Sequence, residues 1–218
     1  MTTTKARLKA PFRDRAAAGR KVAALLEHYR DGDAVVLAIP AGGVPVAVAI
    51  ARSLNLPIQI APVSKVLFPW TTESGYGAVA FDGSVWLDQA AAENYGLTQA
   101  QIEKAVADAR AKVERRNKRF DALKAPPDLG GRTVILVDDG IAAGSTMRAA
   151  IAALRKLGAR RVVVAVPTGH SRSLDALRGL ADEVVCADVR GGVRFAVADA
   201  YEEWRDLSDE DIEAVLKP

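Results

Sequence analysis

Apolar residues follow two patterns along this chain: short unbroken runs, and longer stretches with an apolar residue at every third or fourth position. The runs predict buried strands, and the periodic stretches predict helices with one apolar face. Strands so uniformly apolar are covered on both faces, so the pattern predicts an α/β fold with a parallel sheet flanked by helices. The predicted strands are 34–40, 57–66, 133–137, 161–167 and 182–189, and the predicted helices are 12–30, 44–55, 98–120, 145–158, 173–180 and one capped by Ser208.

One segment interrupts this alternation. Residues 66–76 contain Pro69, Gly75 and several polar residues, and the two short apolar runs that follow flank Asp82 and Gly83. An Asp-Gly pair between apolar runs is typical of a hairpin turn. We therefore expect a loop and a ribbon that project from the sheet.

The composition sets limits on location and partners. The 218 residues include one cysteine, no run of about 18 apolar residues, and no apolar secretion segment near the N-terminus, so we expect a cytoplasmic protein without membrane contact. Cys186 lies in an apolar run and is interpreted as a buried strand residue. The 30 basic residues are nearly balanced by 27 acidic ones, so no nucleic-acid partner is expected. The basic stretch 109–120 is interpreted as a solvated helix end.

The stretch "TVILVDDGIAAGSTM", residues 133–147, carries the clearest chemical signal. Ligands of open parallel sheets bind beyond the carboxyl ends of the strands, where Asp138 and Asp139 are expected. The small residues after them expose backbone N–H groups at the start of a helix near Ser145, which suits a phosphate. The carboxylates need donors instead, such as the hydroxyls of a sugar attached to that phosphate. Alternatively, one Asp caps the helix and the glycines only form the turn.

The same stretch resembles the 5-phosphoribosyl-1-pyrophosphate (PRPP) signature of type I phosphoribosyltransferases: an apolar strand, two acids, two spacers and a small-residue loop ending in a hydroxyl residue. The resemblance implies that Asp138 and Asp139 hold the ribose 2- and 3-hydroxyls, and that residues 142–146 cradle the 5-phosphate. Ala143 stands where the family usually has Thr, so one hydroxyl donor is missing. The substrate-binding residues implied here are Gly140, Ile141, Ala142, Ala143, Gly144, Ser145 and Thr146.

The resemblance covers nearly the whole chain. Segments such as "FRDRAAAG", "LAIPAGGVPVA", "KVLFPWTTESGYGAVAFDG" and "FAVADAYEEWRDLSDEDI" are similar to a group of microbial phosphoribosyltransferases whose substrate is unsettled. This implies one domain over residues 12–218 after a tail at 1–11. It also implies a mobile loop at 66–78 and a hood, formed by parts of 12–30 and 187–218, that selects the acceptor.

The resemblance assigns the leaving pyrophosphate to two further places. Ala41, Gly42 and Gly43 follow the first strand and are similar to the loop that holds pyrophosphate through backbone amides. Ala41 stands where related sequences often carry Arg. Lys65, at the predicted end of the next strand, is implied to add charge there. The alternatives are a plain strand-helix turn and an exposed lysine.

The remaining candidates concern the acceptor and the loop. His170 follows the fourth apolar run, at the cleft end of its strand, where it can contact the acceptor or the ribose. Phe195 is a candidate for stacking on an acceptor ring, or else a core residue of the hood. Trp70, Glu73 and Tyr76 distinguish the loop; each either serves the site or packs against a partner subunit.

These expectations describe an enzyme that transfers phosphoribosyl from PRPP to a nitrogenous acceptor and releases pyrophosphate, a pentosyltransferase. Mg²⁺ is expected to enter with PRPP, near Asp138 and Asp139. The expected partners are PRPP and an acceptor base or amine, and a homodimer is compatible with this picture. The alternative is a regulator that senses PRPP or a nucleotide without turnover, which the alanines at 41 and 143 favour. A third alternative is an unrelated phosphosugar enzyme on a similar scaffold.

Overall fold

The computed structural model describes residues 10–123, 129–192 and 195–217. Helices and strands alternate as predicted outside residues 58–119, where four strands and then two helices follow one another. The helices are α1 Arg15–Leu25, α2 Gly43–Leu54, α3 Gln89–Asn94, α4 Gln99–Arg119, α5 Ser145–Lys156, α6 Ser171–Arg178 and α7 Asp209–Leu216. The strands are β1 Val35–Ala38, β2 Ile58–Ile60, β3 Ser64–Leu67, β4 Gly75–Val79, β5 Val85–Leu87, β6 Thr133–Val137, β7 Arg161–His170 and β8 Glu183–Arg190.

Five strands form a parallel sheet in the order β2-β1-β6-β7-β8. Successive side chains of a strand point to opposite faces, and both faces of the central strands are buried. Val36 and Ile135 belong to the apolar layer that contains α1, α2 and α7. Leu37 and Leu136 belong to the opposite layer, which contains α5 and α6. The predicted α/β fold with a helix-flanked parallel sheet is therefore confirmed.

The remaining strands form a separate antiparallel sheet in the order β3-β4-β5. The predicted strand 57–66 was wrong, because the chain leaves the parallel sheet after Ile60 and begins β3 at Ser64. The predicted hairpin is confirmed, with β4 and β5 paired around a turn that contains Gly83 at φ +83°. Helix α4 packs its buried residues Ala109 and Val113 on this small sheet.

The C-terminal segment returns to the beginning of the chain. Phe12 donates its backbone N–H to the carbonyl of Ala200 (3.1 Å), and its ring packs in a small buried cluster with Ala18 and Tyr201. Helix α7 begins as predicted: Ser208 caps it, and Asp211 completes a reciprocal capping box. None of the helices in the described ranges is long and apolar enough to cross a membrane.

Candidate active site

The candidate site lies at the carboxyl ends of two adjacent strands, after which the chain continues on opposite faces of the sheet. Strands β1 and β6 pair in parallel, with Ala38 opposite Val137. After β1 the chain enters α2 on one face of the sheet, and after β6 it enters α5 on the other face. Such a switch point leaves a crevice at the carboxyl ends of the strands, where ligands of this architecture bind. Residues 40–43 and 138–146 form its two walls.

Asp138 and Asp139 sit together at the end of β6, as predicted. The Oδ1 atom of Asp138 accepts the backbone N–H of Asp139 (2.8 Å), and the Tyr201 hydroxyl donates to the carbonyl of Asp139 (2.6 Å). Burial, and then the charge of Asp139, raises the pKa of the Asp138 carboxyl well above its usual range. A ligand that donates hydroxyl hydrogen bonds, or a cation, would stabilise the ionised form that burial disfavours.

Neither carboxylate caps a helix. Helix α5 starts after Gly144, which lies in the left-handed region at φ +84°, and no side chain among the described residues caps its first turn. The alternative in which one Asp serves as the helix cap is therefore excluded by the geometry.

Arg15, which the sequence analysis missed, is the charged partner of Asp139. Its Nε donates to Oδ2 of Asp139 (2.9 Å), and its Nη1 donates to the carbonyl of Arg205 (3.0 Å). The guanidinium lies 3.9 Å from the centre of the Trp204 ring, and the Arg15 side chain is only 9% exposed. Burial raises the pKa of Asp139, and the Arg15 charge opposes that rise.

A sequence signal for Arg15 existed. Arg15, Ala18, Gly19 and Val22 follow one another at helical spacing, and all four are buried on the same face of α1. An arginine on an otherwise apolar helix face needs an acidic partner, because burying an unpaired charge is costly.

The small-residue loop after the acids is hydrogen-bonded to the rest of the protein at its first residues, whereas the backbone N–H groups of its later residues are free of partners in the described ranges. Ile141 donates to the carbonyl of Thr168 (3.0 Å) and accepts from the backbone N–H of His170 (2.9 Å). Beyond it, the five backbone N–H groups of residues 142–146 donate no hydrogen bond within the described part of the chain. Ala142 and Ala143 are exposed. Five free donors at the start of α5 form a concentrated site for an anion.

The loop after β1 approaches the acid pair closely. A Cβ at Gly42 would lie 1.8 Å from Oδ2 of Asp139, and a Cβ at Gly43 would lie 2.7 Å from the carbonyl of Val137. The glycines are therefore required by contact with the end of β6, a reason that the sequence analysis did not give. The peptide bond between Pro40 and Ala41 is cis.

Lys65 lies inside β3, not at the end of a strand of the parallel sheet, because that strand ends earlier than predicted. Its side chain is exposed and Nζ donates to the carbonyl of Glu73 (3.2 Å). Its positive charge still acts on both carboxyls, lowering the pKa of Asp138 and of Asp139 against the effect of burial. Lys65 therefore belongs to the small antiparallel sheet and influences the acid pair through its charge alone, since its hydrogen bond is to Glu73.

Much of the segment 66–78, which was expected to be a mobile loop, belongs to paired strands. Its ends belong to β3 and β4, and Tyr76 is 2% exposed in the apolar cluster under α4. Tyr76 is therefore a core residue. Only residues 68–74 lie between the strands. There the ring of Trp70, 60% exposed, stacks on Phe68 with 5.2 Å between centroids.

His170 and Phe195 meet at the far end of the crevice. Nε2 of His170 lies 3.0 Å from the carbonyl oxygen of Gly192, and its ring meets the Phe195 ring edge-on, with 5.9 Å between centroids. A cavity of about 410 Å³ opens beside His170, lined also by Ser171, Arg172 and Gly192. Phe195 belongs to none of the buried apolar clusters in the described residues. It precedes a short 3₁₀ turn and does not lie in a strand.

The family model of the phosphoribosyl transferase domain matches residues 13–200. The chain belongs to the phosphoribosyl transferase domain family. The protein TT1426 of Thermus thermophilus has a crystal structure that is 36% identical, with a TM-score of 0.74, covering 94% of this chain and 97% of that one. The predicted family membership is thereby confirmed.

This phosphoribosyl transferase domain also matches curated proteins of Mycobacterium tuberculosis. One of them, named "Putative phosphoribosyl transferase Rv0571c", is 36% identical over 205 residues, which are 94% of this chain and 46% of the relative. The chain therefore spans about half the length of the curated relatives it matches.

Within this phosphoribosyl transferase domain, no group of three or more His, Cys, Asp or Glu side chains in the described ranges forms a metal site by itself. The paired oxygens of Asp138 and Asp139 nevertheless fit Mg²⁺. This cation prefers hard oxygen ligands and keeps several waters, and proteins bind it through one or two carboxylates together with substrate phosphates.

Proposed function

We propose that this domain binds PRPP and transfers its phosphoribosyl group to a nitrogenous acceptor, with release of pyrophosphate. One observation carries the proposal: free backbone N–H groups at the start of α5 directly follow two carboxylates with few competing donors. The first group suits a phosphate and the second suits vicinal hydroxyls. A phosphorylated pentose contains both groups.

In this proposal residues 142–146 hold the 5-phosphate. Their backbone donors, at the positive end of the α5 dipole, need no rearrangement to receive an anion. Ser145 and Thr146 contribute hydroxyls in addition. Ala143 has no hydroxyl to offer, so the backbone carries most of the phosphate binding.

Asp138 and Asp139 accept hydrogen bonds from the ribose hydroxyls. Asp138 has one carboxylate oxygen already occupied by a backbone N–H, and Asp139 shares one oxygen with Arg15. Each keeps an acceptor site for a ligand. The ribose is thus oriented by two groups that are themselves fixed, which is how positioning lowers the barrier of a displacement.

The reaction breaks the bond from C1 to the pyrophosphate oxygen, and the electron pair leaves with pyrophosphate. The lone pair of the acceptor nitrogen forms the new bond to C1, and the nitrogen proton passes to solvent. The positive charge that develops on the ribose ring is stabilised by Asp138 and Asp139. Residues 41–43 and Lys65 face the departing pyrophosphate. When bound with PRPP, Mg²⁺ supplies charge neutralisation of the diphosphate.

The acceptor occupies the cavity beside His170 in this proposal. His170 and Phe195 offer a polar ring nitrogen and an apolar ring edge there. Residues 68–74, with the exposed Trp70, close over the site from the small antiparallel sheet and exclude water.

Pyrophosphate release from PRPP and Mg²⁺ tests the proposal, with adenine, guanine, hypoxanthine, uracil, orotate and simple amines as acceptors. Acceptor-dependent release by the parent, abolished in Asp138→Asn, is the expected result. Acceptor-independent release at the same rate in both proteins would contradict it.

A second candidate function is a sensor of PRPP or of a nucleotide. It is favoured by Ala41, which offers no charge to a departing pyrophosphate, and by Arg15, which already neutralises one of the two acids. Saturable binding of PRPP without release, across the whole acceptor panel, is the result that favours the sensor over the enzyme.

A further inference from the structure

Helix α4 is attached to the loop after β1. Nη1 of Arg116 donates to the carbonyl of Pro40 (3.1 Å), and its Nε donates to Oδ1 of Asp209 (3.0 Å). The Arg116 side chain is only 13% exposed. The interpretation of residues 109–120 as a solvated helix end is therefore wrong for this arginine, because it forms part of the wall around residues 40–43.

Lys112 lies one helical turn before Arg116, on the same side of α4. The adjacent Val113 lies in one buried cluster with Val66 of β3, so α4 packs directly on the strand that carries Lys65. Lys112 is exposed and donates no hydrogen bond within the described ranges.

The surroundings of Lys112 are rich in positive charge. Partial desolvation lowers the pKa of Lys112, and the charges of Arg116, Arg115 and Lys65 lower it further; Asp209 opposes them. Asp209 is already paired with Arg116 at 2.9 Å. These positive charges repel one another, so an anion placed among them gains the attraction of several charges.

We infer that Lys112 binds the diphosphate group of the ligand together with Lys65, and that Arg116 is a positioning residue that holds residues 40–43 beside them. This inference rests on the proposed function and adds α4 to the site. Ala41 gives its loop no charge, and α4 provides the charge instead. Lys65 lies in β3, on which α4 packs, so the two lysines extend the site from the ribose side towards α4.

The test is titration calorimetry of the full chain with inorganic pyrophosphate and Mg²⁺, and separately with ribose 5-phosphate. Lys112→Gln keeps a polar side chain, one bond shorter, and removes its charge. Lys118→Gln is the matched control, since Lys118 is exposed on another side of α4. We expect Lys112→Gln to weaken pyrophosphate binding about tenfold, the loss of one charged hydrogen bond, and to leave ribose 5-phosphate binding unchanged.

Lys65→Gln should weaken pyrophosphate binding to a similar extent. The double variant should lose less than the product of the single losses, because both lysines contact one ligand. Unchanged pyrophosphate binding in Lys112→Gln, or an equal loss in Lys118→Gln, would overturn the inference. Circular dichroism of each variant checks that the fold is retained.

The ribose phosphate site and the diphosphate site can be disproved separately. A parent protein that binds pyrophosphate through Lys112 but binds no ribose 5-phosphate contradicts the proposed function and leaves the diphosphate site standing. A parent protein that binds ribose 5-phosphate but no pyrophosphate contradicts the diphosphate site and leaves the ribose phosphate site standing.

Discussion

Arg15 and Asp139, 124 residues apart in the sequence, form an ion pair at 2.9 Å beneath the ring of Trp204. The contact joins α1 to the end of β6, and the same arginine donates to the backbone of the C-terminal segment at Arg205. The two neighbouring acids of the site are consequently unequal. Asp139 has a charged partner inside the protein, whereas Asp138 has a backbone N–H.

The first prediction concerns this ion pair. Arg15→Met should lower the free energy of unfolding by about 3 kcal/mol, because it leaves Asp139 buried without its cation. Urea unfolding at pH 7 measures the loss. Arg20→Met, an exposed arginine on the same helix, is the control and should change stability by less than about 0.5 kcal/mol.

The double variant Arg15→Met with Asp139→Asn completes the cycle. Its loss in free energy of unfolding should be smaller than the sum of the losses in the two single variants, because removing both charges leaves no unpaired buried charge. Additive losses would mean that the two residues do not interact in solution.

The second prediction concerns the pH dependence of stability. The pKa of Asp138 is raised in the folded protein, first by burial and then by the charge of Asp139. The folded state therefore binds the proton of Asp138 more tightly than the unfolded state does. The contribution of the protonated carboxyl to the free energy of unfolding is lost as pH rises through the folded pKa. Asp138→Asn should be more stable than the parent at pH 8, and the difference should shrink towards pH 4.

Melting temperatures of the parent and of Asp138→Asn, measured from pH 4 to pH 8, check this prediction. Asp139→Asn should behave differently, because it also removes the partner of Arg15. A constant difference between Asp138→Asn and the parent across this range would mean that the carboxyl titrates normally.

Much of the fold was predictable because the central strands are apolar on both faces. Val134 to Val137 is a continuous buried run, as expected of a strand covered on both faces, and Asp138 marks the point where it ends. The strands within residues 57–66 were harder to predict, because Ile60 and Ser64 lie in one stretch of the sequence although they belong to different sheets. A turn between two short strands leaves little trace in the spacing of apolar residues.

The part of the site formed by consecutive residues was predictable, and the part assembled from distant segments of the chain was not. Asp138, Asp139 and residues 142–146 are consecutive, so their spacing carries the chemistry. Arg15 and Arg116 reach the site through tertiary contacts across the chain, and no local pattern names their partners.

A third prediction concerns the phosphate loop. Ala143 is exposed beside free backbone donors, so Ala143→Thr adds a hydroxyl where an anion is proposed to bind. Ribose 5-phosphate binding should tighten by about 1.5–3 kcal/mol at most, the contribution of a hydrogen bond to a charged group. Titration calorimetry measures the change, with Ala111→Thr on the exposed side of α4 as the control. Weaker binding would mean that the loop does not hold the phosphate.

A fourth prediction concerns Cys186. Burial raises the pKa of its thiol to about 11, and Sγ donates to the carbonyl of Asp188. At pH 8 roughly one thiol in a thousand is ionised, so the folded protein should react slowly with Ellman's reagent and rapidly once unfolded in urea. Fast stoichiometric labelling of the folded protein would show that the thiol is accessible and ionised.

The most direct test of the central claim is calorimetric titration of PRPP and Mg²⁺ into the parent protein and into Asp138→Asn, with inorganic phosphate as the parallel ligand. The variant keeps the size of the side chain and its backbone contact while it loses the charge. We expect the parent to bind PRPP, and the variant to bind it about ten- to a hundredfold more weakly with phosphate binding unchanged. Equal PRPP affinity in the two proteins, or no binding by the parent, would contradict the assignment of this crevice to PRPP.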